Sequence, residues 1–267
     1  MKQKEKIIYY NDLKNDDFSG THIKAKPLED SFKYIHKNPF WNLAAAGLYF
    51  LIAKPCMLFI TKCICHQKYA NKKVIKQAKK TGAIIYGNHT TKLADSFVPN
   101  LLFPFKRTYI IASPETMSIK GIQRLLAMLG VMPLTEKLSL KKKFLHAMRT
   151  HLQKKKMITI YPEAHIWPYY TKIRPYDDGS FKYAALFEHP VYAMTTCYQK
   201  RKLGKKPKII TYFDGPFYPK PEFNTKENAA YLRDLCYRAM VDRAEKYSTY
   251  EYIKYVKKEP DKEKNQA

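Results

Sequence analysis

Glycine is scarce, at 9 of 267 residues, and none sits in a Walker-type or dinucleotide-type phosphate loop. A nucleotide cradle made of glycine-rich backbone is therefore not expected. Cysteine is also thin. Cys56, Cys63, Cys65, Cys197 and Cys236 form an odd set with no CxxC pair, which gives no disulfide framework. Cys63 and Cys65 have only His66 close by as a further ligand, so no metal is expected. Acidic residues are few: 23 Asp and Glu stand against 49 Lys and Arg, a formal net charge of +26. That balance favours a polyanionic partner, whether nucleic acid, an anionic membrane surface or a phosphate-bearing small molecule. Internal repeats, RNP, helix-turn-helix and zinc-finger patterns are all absent, which argues against nucleic acid. No signal-peptide pattern opens the chain, and the stretch from Met1 to Asp30 is charged and polar. The expectation is a reduced, cytosol-facing protein.

What is present begins with an abrupt change of composition. Residues 1–38 are polar and aperiodic and read as a flexible or loosely docked arm. From Leu43 to Ala53 every residue is apolar or Gly; Lys54-Pro55 interrupts, and Cys56 to Ile60 is apolar again. Residues 39–66 are thus expected to be a membrane-associating helical segment. A single spanning helix would bury Lys54 near mid-span, at about 2.5–3.5 kcal/mol on insertion scales. A broken helix dipping into one leaflet lets Lys54 reach the headgroups and puts Pro55 at the bend, and this reading is preferred. A soluble core helix would need cover nearly all round.

Residues 67–256 alternate short apolar runs with helical periodicity. The pattern predicts a helix over 67–80 closed at Gly82, then a strand from Ala83 to Tyr86. A helix from Asp95 to Phe103, a strand from Thr108 to Ala112, and a helix from Glu115 to Leu129 closed by Gly130 follow. Val131–Leu134 is a short strand. Ser139 is placed to cap a helix bearing Leu140, Phe144, Met148 and Leu152 on one face. Further strands are expected at Met157–Tyr161, Val191–Tyr198 and Lys208–Phe213. Asn224 or Thr225 starts a last helix, with Glu227 placed for a capping box. The tail, 257–267, is charged and expected to fray. Strands alternating with helices imply an α/β fold with a central, largely parallel sheet flanked by helices.

Two segments carry chemistry. Asn88-His89 follows directly on an apolar strand, with Asp95 six positions after His89. Ligands of open α/β sheets bind beyond the carboxyl ends of strands. A histidine there can accept a hydroxyl proton near neutral pH, and a carboxylate on its other nitrogen would fix its tautomer. A regular helix would set residues six apart on different faces, so the intervening chain must turn for them to meet. Taken alone, the pair reads better as a satisfied loop histidine and an aspartate capping the next helix. The second segment, Tyr161-Pro162-Glu163-Ala164-His165, also follows a strand. Glu163 there could accept hydrogen bonds from loop amides or lie on a surface turn.

Together these segments resemble the PlsC-like glycerolipid acyltransferase family. Asn88-His89 with Asp95 stands for its first block and Gly121 to Leu134 for its second. Tyr161-Pro162-Glu163-Ala164, continuing to Phe181-Lys182-Tyr183-Ala184, stands for its third, and Pro190-Val191-Tyr192-Ala193 for its fourth. The resemblance covers about residues 40–215. Here five residues, not the usual four, separate His from Asp. The arginines that commonly follow the second block and the third-block Glu are absent; Lys137 and Arg174 stand as candidate phosphate anchors in their place.

The resemblance implies direct acyl transfer from an acyl thioester to the hydroxyl of a lysophospholipid such as 1-acylglycerol-3-phosphate. It makes His89 the base and Asp95 its partner, with Asn88, Glu163, Arg174 and Lys137 on the substrate side. Acyl-CoA or acyl carrier protein would be co-substrate, with no bound cofactor and no metal. An anionic membrane surface is the expected partner, with the protein peripheral or monotopic on the cytoplasmic face.

Overall fold

Five apolar runs assemble side by side with their carboxyl ends pointing the same way. The computed structural model describes residues 6–20, 23–92, 94–119, 121–202, 204 and 206–259. Its strands are β1 (Lys6–Tyr10), β2 (Lys68–Tyr69), β3 (Ala83–Gly87), β4 (Tyr109–Ala112), β5 (Val131–Pro133), β6 (Met157–Ile160), β7 (Val191–Gln199), β8 (Lys208–Phe217) and β9 (Ile253–Lys257). Among the described residues the main sheet has the order β2-β8-β7-β3-β6-β4-β5. Every pairing in it is parallel except β7 with β8. The fold is thus mixed α/β with a mostly parallel sheet flanked by helices, as the alternation of patterns predicts.

Central β3 is buried along its whole length, as a strand covered on both faces must be. Ile84 and Tyr86 pack on one face, beneath the helices Leu138–Gln153, Lys182–Phe187 and Thr225–Tyr247. Ala83 and Ile85 pack on the other, against Ile75, Ala78, Val98 and Phe103. The register sets Ile85 opposite Thr159 of β6 and Tyr192 of β7. The carboxyl ends of β3 and β6 are therefore neighbours, and the loops that leave them emerge together.

Several boundaries differ from the periodic reading. Residues 67–80 begin as a strand, because Gln67 Nε2 donates to Thr211 Oγ1 and Asn71 pairs through its side chain with both Phe213 N and O, drawing the chain onto β8. Helix follows only at Lys73–Lys76 and Ala78–Thr81. The span 115–129 splits into Pro114–Met117 and Gln123–Leu129, with Gly121 at φ +84° between them. Lys137, not Ser139, occupies the N-cap of the next helix; Ser139 Oγ instead donates to Asp30. The helix Lys182–Phe187 gave no periodic signal of its own. The Asn224–Glu227 capping box is present as expected.

The N-terminal arm is built into the body, contrary to the loosely docked reading. β1 pairs in parallel with β9, and Lys258 N donates to Tyr10 O. Trp167 Nε1 donates to Asp16 O at 2.7 Å, and Tyr34 OH donates to Pro133 O at 2.9 Å. Of the tail expected to fray, Lys257 ends β9 and Lys258 is hydrogen-bonded to Tyr10; residues 260–267 lie outside the described residues.

The apolar segment is one continuous helix, Pro39–Ile64, with no break at Pro55. Its turns alternate: α over Pro39–Gly47, π over Leu48–Ala53, α over Lys54–Phe59 and π over Ile60–Ile64. The buried positions are Ala45, Tyr49, Lys54, Met57 and Thr61. A uniform α-helix would carry residues spaced by 4, 5, 3 and 4 around its circumference; the wider π turns return them to one face. That face lies against the domain along most of the helix. Tyr49 OH donates to Asn100 Oδ1 at 2.5 Å. Lys54 does not reach toward headgroups as expected. It turns inward, and its Nζ donates to the carbonyls of Phe103, Pro104 and Lys106 at 2.6, 2.7 and 3.2 Å. Burial lowers its pKa to about 8, so at neutral pH the ammonium keeps the proton those bonds require. The opposite face exposes Phe40, Leu43, Leu51, Ile52, Leu58 and Phe59.

Replacing Lys54 by Ala removes three donors from a buried carbonyl cluster. The expected cost is about 1–3 kcal/mol of stability, from carbonyls left without a partner. Urea denaturation of Lys54→Ala against the parent checks it; an unchanged midpoint would mean that the lysine does not hold the helix to the domain.

Candidate active site

The chain leaves β3 at Gly87, where a Cβ would lie 2.7 Å from the ring of Tyr161 and 2.9 Å from Met194. Only a bare backbone lets the Tyr161 ring approach. Asn88 comes next and is buried. Its side chain accepts from Thr196 N at 2.8 Å and donates to Thr196 O at 3.0 Å, strapping the loop to β7. Both ends of the amide are consumed, so Asn88 positions the loop rather than facing a substrate.

His89 then meets Asp95. The loop turns back on itself, and His89 Nδ1 lies 2.9 Å from Asp95 Oδ2. Asp95 sits in the first turn of the helix Ala94–Leu102 and is almost fully buried. Its carboxylate does not cap that helix. It reaches back to accept from Thr90 N and Thr91 N, both at 2.8 Å, and from Thr91 Oγ1 at 2.5 Å. The loop histidine and capping aspartate considered for the sequence are thus one constellation. A carboxylate acceptor at Nδ1 places the proton there and leaves Nε2 as the basic nitrogen. Nε2 makes no hydrogen bond to the described residues, and the His89 side chain keeps 16% of its surface open.

Glu163 fixes the other side of the histidine. Its Oε2 accepts from the backbone N–H of His89 at 3.0 Å, which joins the β3 loop to the β6 loop. Arg174 is buried beside it. Its backbone N–H donates to Oε1 at 3.0 Å and its Nη2 to Oε2 at 3.1 Å, and the guanidinium also donates to His165 O. The same group lies 5.1 Å from the centre of the Trp167 ring, and Trp167 N donates to His89 O at 3.0 Å. Arg174 is therefore committed to an internal ion pair and not presented as a phosphate anchor. The surface-turn reading of Glu163 fails for the same reason. Lys137 is half exposed, follows the edge strand β5 and lies 3.6 Å from Asp30. Three strand spacings, about 14 Å, separate β5 from β3. The structure does not bring Lys137 to His89.

Aromatic residues complete the frame, and none was singled out by sequence reasoning. The Tyr161 ring stacks on His89 with centroids 4.5 Å apart, and its hydroxyl donates to Asp95 O at 2.5 Å. Tyr198 OH donates to Thr90 Oγ1 at 2.8 Å and to Thr90 O at 3.1 Å. Burial, with Asp95 nearby, holds both phenols well above their ordinary pKa, so they remain neutral donors. For Tyr161 the available signal was its place just past a strand end.

Residues 66–197 match the family model described as Acyltransferase. These residues form an acyltransferase domain. The match spans the β3 loop, the β6 loop and most of β7, and so contains His89, Asp95 and Glu163. No curated protein matches the chain. Among solved structures the acyltransferase is similar to the crystal structure of the 1-acyl-sn-glycerophosphate acyltransferase PlsC from Thermotoga maritima. The two share 15% identity over 76% of this chain and 93% of that one, with a TM-score of 0.48.

Glu163→Gln should destabilise the domain by about 3–5 kcal/mol, because it strips the carboxylate from a buried guanidinium. Adding Arg174→Met should recover much of that loss, since the orphaned charge is then gone. Guanidinium denaturation of the single and double variants measures both; a single variant as stable as the parent would contradict the ion-pair assignment.

Proposed function

We propose that this acyltransferase moves a fatty acyl group from a thioester donor to the hydroxyl of a lysophospholipid, 1-acylglycerol-3-phosphate in phospholipid synthesis. The observation that carries the reading is the 2.9 Å contact between His89 Nδ1 and Asp95, with Nε2 left without a partner among the described residues. In the proposed step the acceptor hydroxyl approaches Nε2 and gives up its proton as its oxygen attacks the thioester carbonyl carbon. The C–O bond forms and the C–S bond breaks. The imidazolium then returns the proton to the leaving thiolate. Asp95 stabilises the imidazolium in between and keeps the ring in the productive tautomer. General base catalysis of this kind contributes about 10²–10⁴-fold.

Backbone amides beside His89 or Glu163 are natural oxyanion donors, yet most of those around this site are already engaged. His89 N donates to Glu163, and Thr90 N and Thr91 N donate to Asp95. Ala164 N, His165 N, Trp167 N and Tyr169 N each donate to a carbonyl. The developing negative charge is then met by the Glu163 N–H, which donates to no described residue, by positioning and by cationic side chains around the loops.

The donor is acyl-CoA or acyl carrier protein; both bring a phosphopantetheine arm, which suits a chain of charge +26. The helix Pro39–Ile64 supports a monotopic seat on an anionic leaflet at the cytoplasmic face. At 26 residues it is about 39 Å long, enough to cross a bilayer. However, its inward stripe runs from Ala45 to Thr61 against the domain, so spanning would peel that contact away. Lying flat, it offers Leu51, Ile52, Leu58 and Phe59 to the acyl chains.

His89→Ala should lower acyl transfer by at least about 100-fold while leaving the fold intact. The assay incubates the purified variant with acyl-CoA or acyl carrier protein and a panel of lysolipids, with products read by mass spectrometry. Full transfer by the variant would end the proposal, and parent protein that binds lysolipid yet transfers from no donor would make it a silent lipid binder.

A further inference from the structure

A cavity of about 330 Å³ lies beside the His89 loop, and the mechanism above does not use it. Thr91, Lys92 and Ala94 form its inner wall, and Thr91 is the residue whose hydroxyl holds Asp95. Four cations line it: Lys6 of β1, Lys92, and Arg201 and Lys206 between β7 and β8. No carboxylate lines it, and none of the four forms an ion pair with an acidic residue among the described residues. The remaining wall is apolar. Ile8 and Ile253 come from the paired strands β1 and β9, and Ile64 is the last residue of the apolar helix. Four like charges converging without a counter-ion raise one another's cost, and an anion is what relieves it. Cations and apolar side chains in one cavity, with the end of the apolar helix in its wall, together describe a seat for an anionic amphiphile.

We propose that this cavity binds the phosphate group of a substrate, held by Lys92, Arg201 and Lys206, with Lys6 at the rim. The inference deepens the proposed function, on which it rests, by naming a phosphate site where Arg174 and Lys137 provide none. The volume sits at the lower end of small-ligand pockets, so it takes a phosphorylated head and leaves the chain outside, along Ile64. The phosphate has two possible sources: the lysophospholipid acceptor or coenzyme A. β1 and β9 wall the site, so the docked terminal strands have a part in binding.

The test is equilibrium binding by the full chain in neutral detergent, without acyl donor, so that it does not depend on transfer. The probes are 1-acylglycerol-3-phosphate, uncharged monoacylglycerol and coenzyme A. The parent should prefer a phosphorylated probe. Lys92→Gln/Arg201→Gln/Lys206→Gln should weaken that probe by about tenfold or more, while monoacylglycerol is unaffected. Loss for 1-acylglycerol-3-phosphate makes the acceptor the source, and loss for coenzyme A makes it the donor. Unchanged affinity for both overturns the proposal. Should the triple variant fail to fold, the parent still decides. Cys65 lines the cavity and Cys63 does not. A phosphorylated probe should slow alkylation of Cys65 relative to Cys63, read by peptide mass spectrometry, and monoacylglycerol should not. Equal protection by both, or by neither, overturns the site. If His89→Ala stays active while the phosphate preference holds, the base assignment fails and the cavity stands.

Discussion

A buried carboxylate without a cation of its own must find its hydrogen bonds in the chain around it. Asp95 meets that requirement through His89 Nδ1, two backbone amides and a threonine hydroxyl, all within the loop that follows β3. The loop cannot satisfy the carboxylate without folding back, and folding back is what turns His89 outward with Nε2 free. Five intervening residues are accommodated because two of them, Thr90 and Thr91, spend their amides on the same oxygen. Glu163 imposes the matching constraint from β6. Its two oxygens hold the His89 amide and the Arg174 backbone and guanidinium. The histidine thus stands between two buried acids that arrive from adjacent strand ends, one fixing its ring and the other its backbone.

Much of this was legible in the sequence. The strand runs Ala83–Tyr86, Met157–Tyr161 and Val191–Tyr198 are apolar because central strands are covered on both faces, and composition alone marks them. The pairing of His89 with Asp95 followed from resemblance and from chemistry, since spacing alone favoured different faces. What stayed hidden depends on distant partners. Arg174 looks like an accessible cation until Glu163 and Trp167 close around it. Asn88 looks like a binding residue until Thr196 takes both ends of its amide. β1 and β9 are five-residue strands whose order comes from each other, across nearly the whole chain. The buried stripe of the apolar helix has no constant period, because its α and π turns alternate.

The apolar helix meets the domain with one face only. Lys54 and Tyr49 tie one face to the loop between Leu102 and β4, while the other face stays apolar and open. Its end at Ile64 lies beside the His89 loop through the shared cavity. Under the proposed function, an acyl chain lodged in the leaflet and a headgroup drawn to the cations are both met without carrying either substrate into water. The proposed function also gives the excess of base over acid a use: charge that would be a liability in a dry core serves where an anionic surface and phosphorylated substrates converge.

The account turns on Asp95 acting through His89 and not merely shaping a loop. Steady-state kinetics of Asp95→Asn test this most directly, because the amide keeps an acceptor for the loop but removes the charge that stabilises the imidazolium. The expected result is a kcat lower by about 10²–10⁴-fold, with KM for acyl donor and lysophospholipid close to the parent values. A variant with parental kcat would contradict the account.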